Sequence, residues 1–189
     1  MSIRSIRAGA RTGVFGEWLT NYLQGITKYQ DYLVYYDHGD PTAHSNVVAI
    51  KGLYGEEVSL INQLAQVDVL VAKPNQEILT IAEVEEAPSS PKKILGDTFT
   101  LLMCNRFSVH LLGKHQYFRI TPETRLIIAG TMVIRGSKPE QLEKIILPRM
   151  KSFSVPHDAV DPKNVSFIFR GTIKETISEL EKTFITWFH

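Results

Sequence analysis

Apolar residues Phe15, Trp18, Leu19, Tyr22, Leu23 and Ile26 recur at helical spacing from Val14 to about Ile26, which predicts an amphipathic helix with an aromatic-rich buried face. The turn-prone segment DHGDPTAHSN separates this helix from VVAIKGL, which reads as a strand. The stretch from Gly55 to Gln66 has no decisive period and reads as helix or loop. Two strongly apolar runs, VDVLVA and EILTIAEVEE, then flank the residues KPNQ and predict a hairpin. Ser90 followed by Pro91 fits an N-cap and first helical position, so a helix is expected to about Cys104. FSVHLL and RLIIAGTMVI read as further strands. Ser137 with Glu140 suggests a capping box for a helix to about Met150. VSFIFR is another strand, and Thr172 with Glu175 opens a terminal helix striped by Ile173, Ile177, Leu180 and Phe184. The chain has no internal repeat and no long linker, so the pattern is that of one compact α/β unit with helices flanking a sheet.

Composition narrows the class. A chain of 189 residues with 43% hydrophobic content buries a good core and is expected to form a single domain. No apolar run approaches the roughly 20 residues that cross a bilayer, and the start lacks the apolar segment of a secretory signal. A cytoplasmic, intracellular protein without a membrane partner is therefore expected. Arg4, Arg7 and Arg11 precede any acid and read as a basic arm. The lone Cys104 excludes an intramolecular disulfide and a cysteine-based zinc site. A net charge of +1 gives no global attraction to nucleic acid. Local attraction would have to come from a face such as Arg135, Lys138, Lys144, Arg149 and Lys151, a pattern that also suits a solvated helix. No G-x-S-x-G, Walker A or G-x-G-x-x-G sequence supports hydrolase-elbow, nucleotidase or dinucleotide chemistry.

The hairpin carries the chemistry. Asp68, Glu83 and Glu85 lie inside or at the end of apolar strands, where an unpaired anion costs several kcal/mol and needs a cation, a proton or a metal. If Ala72 and Glu77 close the loop as a pair, Asp68 stands opposite Ile81, on the face that carries Glu83 and Glu85. Opposed side chains lie about 5 Å apart and diagonal ones roughly 7 Å apart, which suits a shared divalent cation. An ion pair with Lys or Arg is the alternative for Asp68 and Glu83, and a solvated strand end is the alternative for Glu85. Parity puts Glu86 on the other face. Asp37, His38, Asp40 and His44 are a second candidate metal cluster, against which stands the ordinary polarity of turns. His110, His115 and His157 have no diagnostic spacing.

Helix, three strands, helix and strand, with an acid at the start of the second strand and E-x-E at the end of the third, resembles the PD-(D/E)XK nuclease superfamily. The resemblance spans about residues 14 to 134 and leaves a helix-strand-helix extension over about 135 to 189. It implies a restriction-endonuclease-like αβββαβ core, a mixed sheet flanked by helices. It also implies that Asp68 is the strand aspartate, Glu83 the first acid of the E-x-K element and Glu17 the helical acid. Glu85 stands where lysine is expected, so it would serve as base or metal ligand, or the lysine would come from Lys92 or Lys93 in the next helix. The implied activity is magnesium-dependent cleavage of DNA by an endodeoxyribonuclease, with manganese as a substitute metal. Asp68, Glu83 and Glu85 would be the ligands, and a homodimer is an optional assembly. Magnesium prefers hard oxygen donors and keeps several waters, so carboxylates on adjacent strands suit it on chemical grounds too. The alternative function is a noncatalytic nucleic-acid-binding or assembly module on the same scaffold.

Overall fold

The computed structural model of the chain describes residues 9–42, 44–131 and 139–189. Its described strands fall into two sheets. The five-stranded sheet runs in the order β1 (Leu33–Tyr36), β4 (Val69–Ala72), β5 (Ile78–Glu85), β8 (Arg125–Thr131), β9 (Val165–Arg170). β4 runs antiparallel to both β1 and β5, whereas β8 and β9 continue parallel to β5. Central strands of such a sheet are covered on both faces, which explains why VLVA in β4 is buried without interruption. Helices α1 (Ala10–Gln24) and α5 (Ile173–Trp187) cover one face, where Phe15, Leu19, Leu180 and Phe184 meet Val69, Val71, Ala82 and Ile127. At Gly16, α1 runs so close to β1 that a Cβ would sit 2.3 Å from Cγ of Tyr36.

The second sheet has the order β3 (Gln63–Val67), β2 (Ile50–Leu53), β6 (Arg106–Leu111), β7 (Lys114–Arg119), all antiparallel. Its inner face, with Ile50, Val67, Phe107, Val109 and Phe118, shares a core with Leu70, Ile78 and Ile81 of the first sheet and with Ile94 of α2 (Pro91–Leu102). The helical stretch after residue 138 comprises α3 (Pro139–Gln141), a π-helical turn (Leu142–Ile146) and α4 (Leu147–Met150). Pro148 offers no N–H to the ladder, and the widened turn ends just before it. A 3₁₀ turn (Pro162–Asn164) leads into β9.

The local capping signals describe the structure well. Ser90 Oγ accepts from Lys93 N at 3.2 Å, and both arms of the Thr172–Glu175 capping box form, at 3.2 and 3.0 Å. Strand assignment needs correction. LVYY, only four residues long, forms β1 and takes the first place in the five-stranded sheet, the place expected for VVAIKGL. VVAIKGL contributes only Ile50–Leu53, in the other sheet, and Val47 makes an isolated bridge to Tyr36. The ambiguous stretch to Gln66 ends in β3, and the polar run KHQYFR forms β7. Arg4, Arg7, Arg135, Ser137, Lys138 and the end of RLIIAGTMVI lie outside the described residues. No helix among the described residues is long and apolar enough to cross a membrane.

Candidate functional site

Asp68 occupies the bend at which the chain leaves one sheet for the other, between β3 and β4. The pairing of β4 with β5 differs from the expected register. Ala72 pairs with Ile78, a bulge follows, and Leu70 pairs with Ile81, so continuing past Val69 and Ala82 sets Asp68 across from Glu83 instead of Ile81. The reason lies at the loop. Glu77 is drawn toward Lys73 Nζ at 3.1 Å and Arg119 Nη2 at 2.6 Å, and it bridges to β7 instead of closing the hairpin with Ala72. The two-residue shift preserves parity, because side chains alternate with a period of two.

Asp68 Oδ2 accepts from the Val84 N–H, the backbone amide that follows Glu83, at 2.7 Å. The Asp68 N–H in turn lies close enough to the Glu83 carboxylate to favour its charged form slightly. Glu83 Oε2 is shielded from solvent and has no hydrogen-bond partner among the described residues. Asp68, with 8% of its surface exposed, is pushed up to about 6 by burial, an effect that the Val84 N–H and His38 oppose. Burial pushes Glu83 up to about 9, and the charges of Asp68 and Asp97 add to it while Lys93 opposes. Burial and mutual repulsion thus both favour a protonated form of this pair. Glu83 borders a cavity of about 180 Å³, lined also by Gln66, Asp97 and Thr100.

Glu85 forms an ion pair with Lys93. Ser90 and Pro91 fix the first turn of α2, and that turn brings the Lys93 ammonium back over the end of β5. Lys92 is exposed and forms no ion pair among the described residues. Glu17 projects from α1 to His44 Nε2 at 3.7 Å and is about half exposed, at 52% of its side chain. Glu86, on the opposite face as parity required, accepts from Thr12 N at 2.7 Å and Thr12 Oγ1 at 2.9 Å. These bonds satisfy the start of α1, where Gly9 offers no capping side chain.

Three neighbours of the pair were not assigned to it from sequence. Asp97 stands four residues after Lys93 on α2, a helical spacing that places both on one face. Asp37 and His38, read from sequence as part of a turn cluster with Asp40 and His44, have ligand atoms that lie with that of Asp68 within 4.8 Å of one another. His44 instead meets Glu17, and Asp40 Oδ1 accepts from Thr42. His110 and His115 meet edge to face, with ring centroids 4.8 Å apart, on the β6–β7 hairpin.

The arrangement can hold a dication chemically. Two acids that cannot both ionise without mutual repulsion, one with an orphaned oxygen, gain favourable charge balance when a divalent ion replaces the proton. Comparison with known protein families, curated proteins and solved structures finds no match to this chain.

Proposed function

We propose that the chain is a magnesium-dependent nuclease that hydrolyses phosphodiester bonds in DNA. The observation that carries this reading is the pair of buried Asp68 and half-buried Glu83, whose shielded Oε2 has no hydrogen-bond partner among the described residues, flanked by a lysine delivered from the next helix. The topology supports it. With the β2–β3 and β6–β7 segments set aside as insertions, α1, β1, β4, β5, α2 and β8 follow the αβββαβ order of the restriction-endonuclease-like fold. Lys93 supplies the cation that E-x-E lacks, so Glu85 holds a lysine at the place where the E-x-K pattern has one.

Asp68 and Glu83 are the residues that would hold the metal, with Glu85 at the edge of the set. Magnesium bound there would polarise a phosphate oxygen and lower the pKa of a coordinated water. The Val84 N–H fixes the Asp68 carboxylate, so its oxygens need no reordering as a substrate arrives. Lys93, shared with Glu85, is placed to stabilise the negative charge that develops on the phosphoryl group. Glu85 orients that ammonium and, once the ion pair opens, can accept a proton from the attacking water. Glu17, engaged with His44, is given no part in the reaction.

The test is cleavage with paired folding measurements. Asp68→Ala and Glu83→Ala should abolish magnesium-dependent cutting of DNA while the far-ultraviolet spectrum and cooperative melting persist. Full cutting by either variant would remove the proposed metal ligands. Binding of DNA without any cutting by well-folded wild type would favour the noncatalytic module.

A further inference from the structure

Asp68 has a second set of neighbours besides Glu83. Asp68 Oδ1 stands 3.3 Å from His38 Nε2, whereas Oδ2 is engaged by Val84. Asp37 follows β1 directly, and its N–H donates to the Asp68 carbonyl at 2.9 Å, so the loop after β1 is tied to the bend before β4. Its carboxylate accepts from the Gln66 side-chain amide. Each of Asp37, His38 and Asp68 thus offers a ligand atom, and all three atoms lie within 4.8 Å of one another.

The His38 ring is held in place by α1. A Cβ on Gly9 would stand 2.2 Å from the ring Cγ, and one on Gly13 would stand 2.5 Å from the His38 carbonyl oxygen. Glycine at both positions lets the start of the helix lie directly against the histidine. The ring is only partly covered, with 39% of the side chain exposed, and it borders a cavity of about 610 Å³ lined by Ala10, Asp37 and Asp40. Geometry, access and chemistry agree. With metal–ligand bonds of about 2.1 Å, cis donors stand ~3 Å apart and trans donors about 4.2 Å, so a small contraction closes the set around one ion. The imidazole decides the class of ion, because magnesium takes oxygen donors while imidazole suits manganese, iron and zinc.

We propose that Asp37, His38 and Asp68 form a binding site for a first-row divalent transition metal, which takes manganese in preference to magnesium. The site shares Asp68 with the proposed nuclease carboxylates, so its catalytic use rests on that reading, whereas its binding of metal does not. Asp68 is then shared by two donor sets, one with Asp37 and His38 and one with Glu83.

Manganese binding to the full chain tests this, read by electron paramagnetic resonance with magnesium as competitor. Wild type should bind manganese at least tenfold more tightly than magnesium, and pulsed spectra of the bound ion should show coupling to an imidazole nitrogen. His38→Ala should abolish that coupling and weaken manganese binding at least tenfold, with magnesium affinity unchanged. Bound manganese without nitrogen coupling in wild type overturns the proposal, whatever the folding of the variants. Loss of manganese in Glu83→Gln with full retention in His38→Ala overturns it as well, and leaves the nuclease site standing. Retention in Glu83→Gln with loss in His38→Ala supports it, even if no DNA is cut.

Discussion

Replacing Glu83 with glutamine should make the metal-free protein more stable. Folding holds a proton on Glu83 up to about pH 9, whereas the unfolded side chain releases it near 4.5. The folded state therefore binds more protons than the unfolded state across that window, and stability falls as pH rises through it. At pH 7 the gap to the ordinary glutamate value, at about 1.4 kcal/mol per pH unit, amounts to ~3 kcal/mol. Glutamine fills the same volume without requiring a proton. The expected gain is about 2–3 kcal/mol at pH 7, or roughly 5–10 °C in melting temperature for a chain of this size. Urea denaturation from pH 5 to pH 9 with a chelator present measures it. Wild-type stability should decline across the series, and the Glu83→Gln variant should show a much shallower slope. A variant that is less stable than wild type at pH 8, or wild-type stability that rises with pH, would refute the reasoning.

Further outcomes follow from the same contacts. Magnesium must displace the Glu83 proton, so between about pH 6 and about pH 9 its affinity should rise roughly tenfold per pH unit. Calorimetry in buffers of different ionisation enthalpy would count that proton, and a pH-independent affinity would contradict the assignment. Lys93→Met should lower the cleavage rate by about 10²-fold or more, and adding Glu85→Lys should restore part of it, because a lysine returns to the end of β5. Failure of the second change to help would give Glu85 a role of its own. Glu86→Gln should cost about 1.5–3 kcal/mol by weakening two charge-assisted bonds to Thr12, a loss read from denaturation midpoints. Gly16→Ala should destabilise by several kcal/mol, because its methyl group would lie inside the Tyr36 ring contact.

The legible parts of this chain are those determined by neighbours in sequence. Ser90 with Pro91 and Thr172 with Glu175 are local caps, and both helices begin where these residues place them. The same locality explains Lys93: once the first turn of α2 is fixed, its third residue faces back to the strand end. The parts that sequence concealed depend on distant partners. Glu77 shifts the hairpin register because Arg119, 42 residues away, holds it. LVYY is too short to show a period, yet it pairs with β4 and carries Asp37 and His38 to Asp68. The bend at Asp68 was equally hidden, since VDVLVA reads as one uninterrupted strand, whereas Val67 and Val69 belong to different sheets. Parity survived the register error, so alternation along the strands still sets Asp68 on the face of Glu83 and Glu85 although their pairing was hidden.

Cleavage assayed on supercoiled, linear double-stranded and single-stranded DNA, with wild type and Asp68→Asn measured side by side, tests the central claim most directly. Wild type should cut at least one of these substrates with magnesium or manganese and none with a chelator, and Asp68→Asn should cut none under any condition. Intact DNA in every wild-type reaction, or equal cutting by Asp68→Asn, would contradict it.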